Sequence, residues 1–301
     1  MDINAAHLDA YGRDLRSRNS SPRTIQNYVE TILQLAALHN DADVLGLTKA
    51  EVQEYITHIL DQHASTTAAV RFRALRAFYN WAVREEIIDV SPMARMRQPT
   101  VTDEPVAVLT DDQLRRLLKV CEGKGFEDRR DTAIIRLFCE PGSPRVAEMA
   151  GLLLDRGPKE APDLDMRHDT VRIHGKGDKI RVIPFGARTG QSLDRYLRVR
   201  ARHKLASLPE LWLGGRGGPL TVSGITQMLR RRSRVAGIGH VHPHQLRHTS
   251  AHVWADQGGS EGDAMALFGW SSAEMPRRYG RSAQVERAQR ASRRLSLGDR
   301  L

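Results

Sequence analysis

The chain has 301 residues and a formal net charge of +10, which suggests about two domains on the ~150-residue prior and favours a polyanionic partner. No apolar run approaches a membrane span, and Met1-Asp2-Ile3-Asn4 lacks the basic and apolar segments of a secretory leader. The two cysteines, Cys121 and Cys139, read as buried thiols of a reducing cytosol and exclude a disulfide framework.

Residues 4–18 read as a helix with Leu8, Tyr11 and Leu15 on one face. Ser21-Pro22 is a cap followed by a first-turn proline and opens a helix to about His39, striped by Ile25, Tyr28, Ile32, Leu35 and Leu38. Thr48-Lys49-Ala50-Glu51 fits a capping box and starts a third helix carrying Val52, Tyr55, Ile56, Ile59 and Leu60. Ser65 starts a fourth, with Val70, Leu75, Phe78 and Trp81 inward. These four helices can bury one core, giving a first domain over 1–90. Periodicity is lost over 91–106, where Ser91-Pro92, Arg95, Arg97, Pro99 and Pro105 read as an interdomain linker. The charge divides at the same place: residues 1–97 hold 11 Lys+Arg and 12 Asp+Glu, and 98–301 the remaining 35 and 24.

A second capping box, Thr110 to Gln113, begins a domain expected over 107–280. Its first helix carries Leu114, Leu117 and Leu118, and residues 128–140 form the next, with Ile134, Ile135, Leu137 and Phe138. Ser143-Pro144 starts a short helix with Arg145 in its first turn, where free backbone N–H groups add to the arginine charge. Residues 155–165 read as a surface insertion. Thr170 to His174 and Ile180 to Pro184 alternate as two strands of a hairpin around Gly175 to Lys179. An Arg-rich helix over 189–204 and a short strand at Leu211-Trp212-Leu213 follow. Gly214 to Gly218 is a loop without the G-K-[ST] ending of a phosphate-cradling motif. Residues 222–236 form a helix with Ile225, Met228 and Leu229 inward and with Arg230, Arg231, Arg232 and Arg234 far from any acid in sequence. Residues 281–301 read as a terminal amphipathic helix.

The chemistry concentrates in His244-Gln245-Leu246-Arg247, Gly269-Trp270 and Tyr279. His244 and Arg247, spaced i, i+3, share one helix face after Pro243, and Gly258-Gly259 ends that helix. Ser260 caps a short helix that Gly269 closes. Arginine matches phosphate oxygens with a rigid donor fork, histidine passes a proton near neutral pH, and indole N–H is a pure donor. A tyrosine hydroxyl, with its pKa near ~10, becomes a nucleophile when nearby charge is neutralised. The set reads as phosphoryl transfer to a phenolic oxygen. A metal centre built from His240, His242, His244, His248 and His252 is the rival, but zinc needs three or four converging ligands and neither H-E-x-x-H nor C-x-x-C is present.

H-x-x-R, then G-(H/W), then a tyrosine nine residues on resembles the tyrosine recombinase, or phage integrase, family. Two further blocks match: Gly142-Ser143-Pro144-Arg145-Val146-Ala147-Glu148, with one more residue between Gly and Arg than the family usually shows, and Gly175-Lys176-Gly177-Asp178-Lys179-Ile180-Arg181. The resemblance implies a mainly α fold with a small β-sheet in the second domain. It also implies a SAM-like, core-DNA-binding helical bundle ahead of a mixed α+β catalytic domain. It assigns catalysis to Arg145, Lys176, His244, Arg247, Trp270 and the nucleophile Tyr279, with Lys179 the competing lysine. Trp270 departs from the commoner His. The family reading also implies a covalent 3′-phosphotyrosyl intermediate, no metal or nucleotide cofactor, and double-stranded DNA sites as partners. A tetramer on two such sites, accessory or directionality proteins, and action in the bacterial cytoplasm with no membrane partner complete the implied setting. DNA contacts are expected from Arg13, Arg16, Arg18, Arg23, Arg71, Arg73, Arg76, Arg95, Arg97, Arg230, Arg231 and Arg232. A solvated face is the alternative for those in the first domain, which carries no net positive charge. The tail docks either on a neighbouring protomer or on its own domain. The divergent Arg145 block and the insertion lean towards an integrase without an arm-binding domain. A Xer-like resolving recombinase, a strand-passing topoisomerase and a non-catalytic DNA-binding protein are the alternatives.

Overall fold

The computed structural model describes residues 3–101, 106–175, 179–215, 217–272 and 274–276, with short pieces beyond 287. The chain divides into two compact units, Met1–Glu104 and Pro105–Leu301. No described helix is long and apolar enough to cross a membrane.

The first unit holds α1 (Ile3–Ser17), α2 (Pro22–Leu38), α3 (Lys49–Gln62) and α4 (Ser65–Arg84). Local chemistry sets two of the starts: the Ser21 hydroxyl accepts from Thr24 N–H ahead of Pro22, and Thr48 and Glu51 form a reciprocal capping box. α4 starts at Ala64 with no side-chain cap, so Ser65 is its first helical residue. Its inward face runs through Ala68, Phe72, Leu75, Tyr79 and Ala82, spaced by three and four. Val70 lies off that stripe and is 42% exposed, correcting its inward assignment, and Leu60 is likewise exposed on α3. Tyr11 anchors the core, edge-on to Phe78 at 5.3 Å and against Trp81 at 5.1 Å. Met93 and Met96, within the expected linker, are buried in this same core, and Arg76 donates to Met96 O at 2.7 Å.

The second unit holds α5 (Asp111–Lys119), α6 (Phe126–Cys139), α7 (Val146–Ala150), β1 (Leu164–Asp165), β2 (Thr170–His174), β3 (Ile180–Pro184), α8 (Ala187–Arg200), α9 (Val222–Val235), α10 (Pro243–Asp256) and α11 (Glu261–Phe268). The strands form one antiparallel sheet in the order β1-β2-β3. Thr170 pairs with Pro184 and His174 with Ile180. α6 lies at the centre, with Ala133, Ile134, Ile135, Leu137 and Phe138 fully buried.

Two expectations change here. The stretch 155–165 is not simply a surface insertion. Asp163 is buried, accepting from Leu153 N–H, from the Arg156 guanidinium and from His174, and the next two residues pair as β1. Leu211-Trp212-Leu213 makes only an isolated bridge, Leu213 to Pro219, and no strand; side chains take part of its backbone. Tyr196 and Arg200 donate to Leu211 O, and Leu213 N–H donates to the Tyr196 hydroxyl. A buried backbone must find partners, and here side chains of α8 supply them.

Candidate active site

α10 begins at Pro243, with His242 as its N-cap: the ring Nδ1 accepts from Gln245 N–H at 3.2 Å. Burial, reinforced by the neighbouring His240, pulls the His242 pKa down and favours this neutral, accepting ring. His244, the second residue of α10, faces solvent. Its ring lies parallel to that of His242, with centroids 6.3 Å apart, and the His240 and His242 rings follow at 6.2 Å. Among the described residues no group of three His, Cys, Asp or Glu converges on one point.

Arg247 is 3% exposed. Its guanidinium donates to Ser143 O and, at 2.6 Å, to Phe268 O, and it lies over the Phe268 ring at 5.2 Å. One of the two residues between Gly142 and Arg145 therefore contributes a ligand for the second arginine. Gly142 sits just before it at φ +86°, where an added Cβ would meet Leu267 O at 2.9 Å. Only glycine lets the end of α11 approach so closely.

α11 starts on Ser260, whose hydroxyl accepts from Asp263 N–H, and stops on Gly269 in the left-handed conformation. Its last carbonyls organise the site. Leu267 O accepts from Arg181 Nε at 3.0 Å, Phe268 O from Arg247, and Gly269 O from Arg145 Nη2 at 3.4 Å. A helix C-terminus carries orphan acceptors and a partial negative charge, so three arginines from three other elements gather there. Trp270 follows at once, buried and stacked on Phe268 at 4.7 Å.

Arg145 is the N-cap of α7, one residue outside the helix that was expected to contain it. α7 spans only five residues, so position and not a helix dipole gives Arg145 its reach. Its side chain is 48% exposed and pairs with Glu148 at 2.9 Å. Glu148 takes Arg145 N–H at 2.7 Å and Arg181 Nη2 at 2.7 Å. Burial pushes the Glu148 carboxyl up, but the hydrogen bonds from Arg181 and from Arg145 N–H outweigh it and bring its pKa down to about 2. A cavity of about 1110 Å³ opens beside this group, lined among others by Arg145, Glu148, His174, Lys179, Arg181 and Trp270. The described arrangement can hold an oxyanion against Arg145 next to a buried indole and a second, rigidly held guanidinium.

Arg145, Arg247 and Trp270 are thus brought together at the end of α11. Lys176 and Tyr279 lie outside the described residues; Gly175 N–H donates to Lys179 O at 2.9 Å. Of the expected DNA contacts, Arg13, Arg16, Arg18, Arg23, Arg73, Arg95, Arg97, Arg230 and Arg231 are exposed. Arg71 is turned to Thr31 and Asn27 O within its unit, and Arg76 lies over Phe72 at 4.7 Å. The arginines of α9 do have acids nearby: Arg232 binds Asp128 and Asp131 of α6 at 2.9 and 2.8 Å, and Arg231 reaches Glu127 at 3.5 Å. Those acids are a hundred residues away in sequence, which hid them. Glu148 and Arg181 stood inside the quoted motif blocks without a role, and the capping role of His242 was missed.

A model of the phage integrase family matches residues 107–286, and one of the phage integrase N-terminal SAM-like domain matches residues 8–89. The two-unit fold and its site define a tyrosine-type DNA strand transferase. Tyrosine recombinase XerC of Azotobacter vinelandii is 32% identical over 253 residues, covering 82% of this chain and 81% of its own length. XerC of Corynebacterium efficiens is 31% identical over 262 residues, covering 86% and 81%. Among solved structures, a Tn1549 transposon integrase in complex with transposon right-end DNA superposes with a TM-score of 0.74 at 18% identity, over 96% of this chain and 99% of that one. The chain belongs to the phage integrase family.

Proposed function

We propose that the chain cleaves and rejoins DNA at specific sites through a 3′-phosphotyrosyl intermediate formed on Tyr279. Arg145 and Arg247 hold the non-bridging oxygens of the scissile phosphate and stabilise the charge that grows on them in the pentavalent transition state. His244 and Trp270 donate further hydrogen bonds, and His244 accepts the phenolic proton as Tyr279 attacks phosphorus. The P–O5′ bond breaks, and Lys176 delivers a proton to the departing 5′ oxygen. A 5′-hydroxyl from another strand then reverses the step, so the phosphodiester bond energy is conserved and no nucleotide is consumed. The observation that carries this reading is the convergence of Arg145 and Arg247 on successive carbonyls at the end of α11, with Trp270 beside them.

The lambda integrase tetramer solved on a Holliday junction, with a TM-score of 0.71 at 18% identity over 89% of this chain and 77% of that one, supports a tetramer on two duplex sites as the working assembly. Relatives named tyrosine recombinase XerC, matched over most of their length, favour a Xer-like resolving role in the bacterial cytoplasm over integration of a mobile element. The burial of Asp163 removes part of the ground for the integrase reading. The test is covalent trapping on a nicked duplex bearing a candidate site. A DNA band whose shift survives denaturation and disappears in Tyr279→Phe is expected. DNA binding without an adduct on any such duplex would leave a non-catalytic binder.

A further inference from the structure

Arg145 is not held by backbone alone. Glu148, nearly buried, lies between two guanidiniums: Arg145 reaches it through its N–H and its Nη1, at 2.7 and 2.9 Å, and Arg181 through Nη2 and Nη1, at 2.7 and 3.1 Å. Arg181 springs from β3 opposite Ile173, sends Nε to Leu267 O, and is itself nearly buried. Gly269 leaves room for it, since an added Cβ there would stand 3.2 Å from Arg181 Cδ. One side chain thus links the sheet, the carboxylate that caps Arg145 and the end of α11.

Charge decides what that link does. Arg145 with Glu148 alone is a neutral pair, and an oxyanion approaching it meets little net attraction. Adding Arg181 makes the trio +1. In a partly buried setting such charges act on each other far more strongly than in water. The low pKa of Glu148 agrees with a carboxylate that two cations share.

We propose that Arg181 is a positioning residue that neutralises Glu148, leaving the charge of Arg145 available to the scissile phosphate while fixing the carboxylate that caps it. This rests on the assignment of Arg145 to the phosphate made above. The chemistry stays with Arg145; Arg181 acts through Glu148.

The test is the single-turnover rate of covalent adduct formation on a nicked duplex at saturating protein, with DNA affinity and melting temperature measured separately. Arg181→Met is expected to cleave about ten- to a hundredfold more slowly at unchanged DNA affinity, the usual cost of losing a group that orients a working residue. Arg181→Lys, which keeps the charge, recovers part of that rate. Arg181→Met combined with Glu148→Gln restores the +1 balance and keeps an oxygen for Arg145 N–H, so it cleaves faster than Arg181→Met alone. A brace with no electrostatic role makes the double variant slower than either single one. That outcome, or a Lys variant as slow as Met, or an Arg181→Met rate equal to wild type, overturns the proposal. Arg145→Ala is the control: if it cleaves normally, the phosphate role of Arg145 falls and this inference with it, whereas a slow Arg145→Ala beside a normal Arg181→Met sinks the inference alone.

Discussion

The second unit contains two arginine clusters that differ in their balance of charge. Between α6 and α9, Arg130, Arg231 and Arg232 meet Glu127, Asp128 and Asp131, three cations for three acids. Asp131 and Arg130 are 0% and 2% exposed, and Arg130 also donates to Leu213 O at 3.0 Å. This cluster is balanced in charge, and its buried centre stitches two helices to a loop. At the end of α11, by contrast, Arg145 and Arg181 share the single carboxylate of Glu148, and the described acceptors of Arg247 are neutral carbonyls. Positive charge is left over there, beside an open cavity. Arginine count alone does not separate the two clusters; the balance of acids around the guanidiniums does.

The comparison is broken most severely at Asp131. Asp131→Ala strands buried Arg130 and half-buried Arg232, and is expected to cost about 3–5 kcal/mol in denaturant unfolding. Below its melting point the variant should still form the DNA adduct at the wild-type rate. A large loss of cleavage in folded Asp131→Ala would join the two clusters into one functional network.

Acid sharpens the contrast. The folded-state pKa of Glu148 lies below its ordinary value, so its contribution is fully present above the unfolded value of 4.5 and is lost as pH falls towards about 2. That shift corresponds to about 3 kcal/mol. Urea midpoints of wild type and Glu148→Gln should therefore differ near neutral pH and converge below about pH 3. Curves that stay parallel down to that pH would mean that Glu148 is not held by the two arginines.

The smallest effect is expected at Gly269. Its left-handed backbone, with φ +62°, costs an L side chain about 1–2 kcal/mol, and the new Cβ presses on Arg181. Gly269→Ala should lower stability by that amount and slow cleavage as well, because the strain falls on the carbonyls that hold the arginines. Equal stability loss from Gly258→Ala, whose φ of +88° is as strained but whose added Cβ meets nothing within 4 Å, should leave cleavage unchanged.

Much of this was legible in the sequence. The capping boxes at Thr48 and Thr110, Ser21-Pro22, the Ser260 cap and the Gly269 stop all bind within three or four residues, so local spacing reports them. The His244 to Arg247 spacing and the two further motif blocks supplied the candidate site residues in the same way; Lys176 and Tyr279 among them lie outside the described residues. An error came where burial is decided by geometry across the unit: Val70 is apolar, yet it stands on the far side of α4 from the Ala68 to Ala82 stripe and faces solvent.

The sequence by itself determined the helix starts at Ser21, Thr48, Thr110 and Ser260, the two-strand hairpin and the split between a charge-neutral first region and a basic second one, and it named Arg145, Arg247 and Trp270 as candidates for a common chemistry. Only the tertiary structure decided which charges remain available. Asp131 reaches Arg232 across 101 residues, Arg181 reaches Glu148 across 33, and Arg145 reaches Gly269 O across 124. Pairings at such separations leave no periodic trace in the chain, because they depend on how elements pack and not on how the backbone winds. Phe268 O at the end of α11 becomes an arginine ligand for that reason: folding removes water from it and leaves the Arg247 guanidinium as the donor within reach.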